Sequence, residues 1–119
     1  MTDSDAEAEL KRLREAIDRV DEVLVKLLNQ RARYAVEIGE IKGHLGLPIY
    51  APEREKEVLE RAEGSSAGPL HGTAVRRLFE RIIDESRRVE RESATTSPAS
   101  PANRTSNINQ APTANRSLQ

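Results

Sequence analysis

The sequence predicts an all-α protein with three helices per chain, one of them very long. Apolar residues recur at intervals of three and four over the first 45 positions, which is the period of one helix face. A second helical segment begins near Pro52, a favoured first-turn residue, and a third runs from about Gly72 to Glu92. The sequence carries no alternating pattern of the kind that indicates a strand.

The first helix is expected between about residues 6 and 44, where one apolar seam continues for about five heptads. Gly43 and Gly46 weaken the helix, and Pro48 ends it. At 1.5 Å per residue such a helix is roughly 58 Å long, which is more than two shorter helices can cover. We therefore expect a second copy of the chain to lie antiparallel along it. The seam consists of Leu10, Leu13, Ile17, Val20, Leu24, Leu27, Arg31, Tyr34, Ile38, Ile41 and Leu45.

The third helix has one apolar face with a single polar member, Ser86. Residues 64–69, with two glycines and a proline, predict the loop that precedes this helix. The face consists of Val75, Leu78, Phe79, Ile82, Ile83, Ser86 and Val89.

Composition limits the kinds of function. Only 36% of the 119 residues are hydrophobic and tryptophan is absent. So few apolar side chains make a small core, and this favours oligomerisation. Cysteine is also absent, and His44 and His71 lack ligand spacing, so we expect no disulfide and no metal site. The start, Met1 to Asp5, is polar and acidic, unlike a signal peptide, and no apolar run reaches membrane-spanning length. We therefore expect a cytoplasmic protein that does not bind membranes.

The chain is expected to form one helical domain, residues 1–93, followed by a disordered tail, residues 94–119. The tail is rich in Ser, Thr, Pro and Asn and has too little apolar surface to offset the cost of ordering. Its only charged residues are Arg104 and Arg116. Without them, 17 basic residues face 20 acidic ones, a net charge of −3 that argues against nucleic acid as a partner.

Arg31 occupies a seam position where an apolar residue is expected. A buried guanidinium stays charged, so it needs an acidic partner or a bound anion. Lys42 follows eleven residues later and points within about 20° of the same direction, roughly 16 Å along the helix. Arg14 precedes Arg31 by 17 residues and points about 100° away, so only Arg14 of an antiparallel second chain can share a small ligand with it. A register-setting ion pair and an anion site both remain open for Arg31.

Two pairs of polar residues on the other helices also have a structural and a functional interpretation. Arg54 and Glu55 lie in the first turn of the second helix, where an exposed turn with Glu55 favoured by the helix dipole is the structural interpretation. Ser86 and Glu90 lie four residues apart and face the same way. In the structural interpretation, the Ser86 hydroxyl bonds to its own helix and Glu90 is an ordinary exposed glutamate.

Several segments together resemble the all-helical chorismate mutases. They occur in the family's order and spacing, and the resemblance covers about residues 8–91. The segments are LREAIDRVD (13–21), LLNQR (27–31) and VEIGEIK (36–42) in the first helix, PIY and PERE (48–50 and 52–55) at the start of the second, and LFERIIDES (78–86) in the third.

The resemblance implies an intertwined homodimeric helical bundle with two equivalent sites, each shared across the chains. The family converts chorismate to prephenate, in the biosynthesis of phenylalanine and tyrosine, by an intramolecular Claisen rearrangement without cofactor or covalent intermediate. Such an enzyme holds a flexible dianion in its reactive shape and stabilises the charge that grows on the ether oxygen. By resemblance, Arg14 of the partner chain and Arg31 would hold the two carboxylates, and Lys42 would donate to the ether oxygen.

On the other two helices, the resemblance implies that Glu55 accepts from the ring hydroxyl, Arg54 supports it, and Ser86 helps to anchor a carboxylate. Ala51 stands where the family often has an aspartate, which removes a side-chain N-cap worth about 0.5–2 kcal/mol. Glu90 stands where many members have glutamine, and a carboxylate there would repel the ether oxygen. We hypothesise that Glu90 binds substrate in its neutral form, so that activity falls as the pH rises and this carboxyl loses its proton.

Two other functions remain open. An isochorismate-pyruvate lyase on the same fold would use a similar cationic site on a related dianion, although the match at Glu55 favours the mutase. A dimeric helical interaction module without catalysis is the third possibility. It predicts that Arg31→Ala leaves function intact and can even stabilise the dimer, because a buried charge is removed.

Overall fold

The computed structural model describes residues 1–96 as three α-helices: α1 (Asp3–Leu45), α2 (Pro52–Ser65) and α3 (Gly72–Thr96). This part of the chain contains no strand, so the predicted all-α class with one very long helix is confirmed. The helix α3 includes the first three residues of the segment assigned to the tail, and the rest of that segment, residues 97–119, lies outside the described residues. Within the described range, no helix combines the length and the apolar character needed to cross a bilayer.

Both ends of α1 are capped. At its start, the Asp5 backbone N–H donates to Thr2 Oγ1 at 3.1 Å and the Thr2 backbone N–H donates to Asp5 Oδ2 at 3.3 Å, a reciprocal capping box. This cap begins α1 three residues before the predicted start. At its end, Gly46 adopts a φ of 69° and the Leu47 N–H donates to the Lys42 carbonyl oxygen at 2.9 Å, the pattern of a Schellman cap.

The helix α2 is longer than predicted and lacks a side-chain cap at its start. The sequence predicts a loop from Gly64, whereas α2 continues through Ser65, whose hydroxyl donates to the Ala62 carbonyl oxygen at 2.9 Å. Ala51 is the N-cap residue, and no side-chain hydrogen bond caps the helix there, as expected from the sequence. The first turn of α2 therefore depends on other contacts to hold its position.

The chain divides into two compact units, residues 1–31 and residues 32–119, and the structure describes the second as far as residue 96. In the first unit no side chain is buried. Its six apolar seam residues, from Leu10 to Leu27, are between 46% and 58% exposed. An amphipathic helix gains most of its stability by burying its apolar face. This unit therefore presents a surface that needs a partner, and the second antiparallel copy stays a prediction.

The second unit has a small core with an unusual polar content. Its buried apolar side chains are Ala35, Ile38, Val58, Ala62 and Ile83. Its buried polar side chains are Lys42, Ser86, Glu90 and Ser93. Lysine and glutamate are almost never fully buried unless they are paired. The buried polar residues are therefore the first place to look for function.

Two glycines of α1 allow α3 to approach closely. A Cβ atom at Gly39 would overlap the Glu90 carbonyl oxygen and would lie 2.7 Å from the Glu90 Cα. A Cβ atom at Gly43 would lie 2.8 Å from the Ala94 carbonyl oxygen. Only glycine fits such close backbone contacts. The sequence marks Gly43 as helix-weakening, whereas the structure shows that Gly39 and Gly43 together allow the close crossing of the two helices.

Candidate active site

A buried ion pair joins α1 to α3 in the second unit. Lys42 Nζ lies 2.8 Å from Glu90 Oε1, the distance of a charge-assisted hydrogen bond. The two side chains are 4% and 0% exposed. The interpretation of Glu90 as an ordinary exposed glutamate is therefore wrong. The close approach at Gly39, one turn from Lys42, places the Glu90 backbone against α1.

Burial of this pair favours a functional explanation over a purely structural one. Removing two charges from water costs several kcal/mol per ion, and their attraction offsets this only when the geometry is good. Apolar side chains of similar volume often give an equally stable or more stable protein. In a unit with so few buried apolar residues, the Lys42–Glu90 pair is therefore a candidate for a functional role.

Lys42 also holds the connector between α1 and α2, residues 46–51. Its Nζ donates to the Ile49 carbonyl oxygen at 3.0 Å. An ammonium group has three N–H donors, and these contacts use two of them. The third N–H donor is not used by either contact.

Glu55 projects from the first turn of α2, and its side chain is 11% exposed. Its Oε2 lies 3.0 Å from Nε of Arg87 on α3. Both atoms are buried, yet they are not aligned for a hydrogen bond with each other or with any other described residue. Charge, and not an aligned hydrogen bond, therefore joins Glu55 Oε2 to Arg87.

The electrostatic environment of Glu55 links it to the buried pair. Burial raises the pKa of Glu55 above its ordinary value. The Arg87 guanidinium opposes this effect, the carboxylates of Asp84 and Glu90 add to it, and the Lys42 ammonium opposes it. Three residues predicted for the site, Lys42, Glu55 and Glu90, thus lie close enough to influence one another.

Arg54 and Ser86 make local contacts. Arg54 Nη1 lies 2.6 Å from Glu57 Oε1, one turn further along α2. The buried Ser86 hydroxyl donates to the Ile82 carbonyl oxygen at 3.0 Å, which is the bond of the structural interpretation. The binding roles of both residues stay predictions.

Arg14 and Arg31 lie in the first unit. The Arg14 side chain is exposed, and the Arg31 side chain is half-buried and engaged in contacts. The sequence predicts that each holds one carboxylate of the substrate. Their position relative to Lys42, or to a second chain, stays a prediction.

Sequence reasoning missed Arg87 and the Ile49 carbonyl. Arg87 directly follows Ser86, beside the apolar face of α3, where an arginine is usually solvated. Its partner Glu55 is 32 positions away in the chain, so no local pattern reveals the pair. Every residue has a carbonyl, so the sequence carries no signal for Ile49. The described residues contain no acidic or histidine cluster that could hold a metal ion.

Residues 13–91 match the family model for chorismate mutase type II, which is well over half of the chain. The chain belongs to the type II chorismate mutase family. This confirms the resemblance found in the motifs. The fold is similar to that of the form II chorismate mutase from Thermus thermophilus, with a TM-score of 0.67 and 36% sequence identity. That similarity covers 69% of this chain and 93% of the Thermus chain.

Two relatives in the family are larger proteins. The bifunctional chorismate mutase/prephenate dehydratase of Neisseria gonorrhoeae is 45% identical over 78 residues, which cover 66% of this chain and 21% of that protein. The protein of the same description from Aquifex aeolicus is 57% identical over 53 residues, which cover 44% of this chain and 15% of that protein. This chain therefore spans about a fifth or less of the length of these relatives.

Proposed function

We propose that this chain is a chorismate mutase, an isomerase that converts chorismate to prephenate in phenylalanine and tyrosine biosynthesis. The observation that carries the proposal is the buried Lys42–Glu90 pair beside Glu55, in a chain of the type II family. Chorismate is a dianion that also has an ether oxygen and a ring hydroxyl. The Lys42 ammonium and the Glu55 carboxylate are chemically matched to these two groups.

The proposed reaction requires no nucleophile from the protein. The bond between the ether oxygen and the ring carbon breaks while a carbon–carbon bond forms between the enolpyruvyl methylene and the ring, so all atoms stay in one molecule. Negative charge grows on the ether oxygen as its bond breaks, and the third N–H of Lys42 stabilises it. A fixed donor in a site that excludes water contributes about 10²–10³ in rate.

The two carboxylates of chorismate need cations, and we assign them to Arg31 and to Arg14 of a second chain. Ser86 and Arg54 complete the polar surroundings of the substrate. The exposed apolar seam of residues 1–31 supports a homodimer, because a second antiparallel chain would cover it. We also expect the protein to act in the cytoplasm, without nucleic acid or membrane partners.

Glu90 requires a change in protonation for this reaction. Its carboxylate pairs with Lys42, and a negative charge facing the ether oxygen would oppose the rearrangement. We assign to Glu90 the uptake of a proton together with the substrate, after which it donates a hydrogen bond to the ether oxygen. Activity should then fall as the pH rises, and Glu90→Gln, which always donates, should keep its activity at high pH. A flat pH–rate profile that Glu90→Gln leaves unaltered would sink this assignment.

Turnover with two substrates tests the function directly. The purified full chain should convert chorismate to prephenate, and it should not convert isochorismate to salicylate and pyruvate. Formation of salicylate would make the protein a lyase instead. An interaction module without catalysis would give neither product, and Arg31→Ala would leave its association unchanged.

Mixing two inactive variants tests the shared site. Arg14→Ala and Lys42→Ala should each abolish turnover, because each removes one part of every site. When equal amounts of the two variants exchange subunits, half of the dimers contain one chain of each variant. In such a dimer one site carries both substitutions and the other site carries neither. About a quarter of the sites should then regain activity. If no activity returns although the subunits have exchanged, the site is built from one chain alone.

A further inference from the structure

Arg87 is a charged residue at the edge of the candidate site that the proposed function leaves without a role. It lies on α3 between Ser86 and Glu90, and its side chain is 31% exposed. A solvated arginine on a helix flank would extend into water. The Arg87 side chain instead turns toward α2 and the connector, where it meets three groups.

Each of the three contacts comes from a different part of the second unit. Arg87 Nε lies 3.0 Å from Glu55 Oε2 in the first turn of α2. Arg87 Nη2 donates to Asp84 Oδ1 at 2.7 Å, one turn earlier on α3. The guanidinium carbon lies 5.7 Å from the centre of the Tyr50 ring in the connector, within the range of a cation–π contact.

These contacts fix the guanidinium on several sides. Asp84 holds one edge of the plane, and the Tyr50 ring lies over it. Glu55 Oε2 is buried against Arg87 Nε at 3.0 Å without an aligned hydrogen bond. The arginine thus acts on this end of the Glu55 carboxylate through its charge.

The connector is held by cations at two consecutive residues. Lys42 of α1 binds the carbonyl oxygen of Ile49, and Arg87 of α3 meets the ring of Tyr50. The next residue, Ala51, contributes no side-chain cap to α2. The two cations therefore hold the start of α2, and with it Glu55, where a capping side chain is missing.

We propose that Arg87 is a positioning residue that keeps the Glu55 carboxylate ionised and in place to accept a hydrogen bond from the substrate's ring hydroxyl. This inference rests on the function proposed above. Arg87 itself does not touch the substrate. It acts through Glu55 and through the connector.

The sign of the effect follows from the charges that face Glu55. On α3 these are Arg87, Asp84 and Glu90, and on α1 the charge is that of Lys42. Without Arg87, two carboxylates would face Glu55 against one cation, so the pKa of Glu55 would rise further above its ordinary value. Glu55 accepts a hydrogen bond only when ionised, so activity is lost as the pH falls through this pKa. Removing Arg87 should move that loss to higher pH.

The test compares Arg87→Met, Arg87→Lys and the control Arg88→Met in the full chain. Arg88 is the neighbouring arginine; its side chain is 66% exposed and lies 3.8 Å from Glu85. The first readout is the pH titration of the Glu55 side-chain carboxyl by ¹³C NMR, with the signal assigned from Glu55→Gln. The second readout is the acid limb of kcat/KM for chorismate.

Arg87→Met should raise both midpoints by roughly 0.3–1 pH unit, less than a fully buried pair would, because Arg87 is partly exposed. Arg87→Lys should leave both midpoints close to those of the wild type, since it keeps the charge, and Arg88→Met should leave both unchanged. In a Glu55→Gln background, Arg87→Met should no longer move the acid limb.

Two results would overturn the role of Arg87. The Glu55 midpoint could be the same in Arg87→Met and Arg88→Met, which would mean that the ion pair is not formed. The carboxyl titration could shift while the acid limb does not, which would mean that the pair has no part in the reaction. A third result would refute the proposed function, together with the role built on it. In that case Arg87→Met shifts the Glu55 midpoint, but the wild-type chain does not convert chorismate.

Discussion

Residues 1–31 and residues 32–96 distribute polar and apolar side chains in opposite ways. In the first region no side chain is buried, and seam residues such as Leu24 are about half exposed, at 50%. In the second region the charged side chains of Lys42 and Glu90 are 4% and 0% exposed. One region has apolar surface in contact with water, and the other has charge in its interior.

The difference has a separate physical reason in each region. Exposed apolar surface favours association, since burial stabilises by about 25 cal/mol per Å². A buried charged group needs a polar partner, because its removal from water is costly. In our proposal a second chain completes the first region and a small dianion completes the second. Assembly and chemistry can therefore be disturbed separately.

The largest effect is expected from breaking the buried pair with Lys42→Met. Turnover of chorismate should fall by at least about 10²-fold, since a donor to the ether oxygen is lost. The free energy of unfolding should fall by about 3–5 kcal/mol, because Glu90 is left buried without its cation. Steady-state kinetics and urea unfolding measure the two losses.

The double variant Lys42→Met/Glu90→Met is the matched control. Two apolar side chains of similar volume should restore most of the stability, since the desolvation cost of both charges is removed. Activity should stay lost. If the double variant regained turnover, the pair would be structural and the site would have to lie elsewhere.

A smaller effect is expected from a charge placed in the exposed seam. Leu24→Lys should destabilise the proposed dimer by about 2–5 kcal/mol, because an apolar contact is replaced by a cation. Sedimentation equilibrium should then show particles of single-chain mass at concentrations where the wild type is dimeric. Glu22→Lys, close by but off the seam, should leave the mass unchanged. Equal association of Leu24→Lys and wild type would show that this seam is not the interface.

The close crossing of α1 and α3 should be sensitive to one methyl group. Gly39→Ala should lower the free energy of unfolding by about 1–3 kcal/mol, because its Cβ meets the Glu90 backbone. Gly64→Ala is the control: no atom lies within 4 Å of its added Cβ, and it should stabilise by about 0.4–1 kcal/mol. Thermal or urea unfolding of both variants measures the two effects. If Gly39→Ala left the free energy of unfolding unchanged, this would contradict the close crossing.

The smallest effect is expected at the start of α2. Ala51→Asp and Ala51→Asn should each raise the free energy of unfolding by about 0.5–2 kcal/mol, because either side chain can cap the helix. A gain in both variants, measured by thermal unfolding, would show that the cap is missing in the natural chain. No gain in either would mean that Lys42 and Arg87 already hold this turn fully.

Much of the fold was predictable because helices depend on near neighbours. The apolar period located α1, and Pro52 marked the start of α2. The ends were less predictable, because caps depend on single side chains. The capping hydrogen bond between Thr2 and Asp5 starts α1 earlier than the apolar period indicates. At the end of the longer α2, the Ser65 hydroxyl donates to a backbone carbonyl oxygen.

The candidate site was predictable in composition more than in arrangement. Lys42 was singled out by its spacing from Arg31, Glu55 by its resemblance to the family, and Glu90 as a departure from the family pattern. The structure places the three close together. Arg87 was not found, because its importance depends on a partner from another helix. The role proposed for Arg14 depends on a second chain, which one sequence does not position.

By itself, the sequence determined the three helices, the apolar seam that needs a partner and the family motifs, since all of these follow from residue spacing along the chain. Only the tertiary structure decided that Glu90 is buried against Lys42, 48 positions away. The physical reason is the absence of a side chain at Gly39, which lets the α3 backbone approach α1. That approach turns a glutamate that would otherwise be solvated into the buried partner of the proposed catalytic lysine.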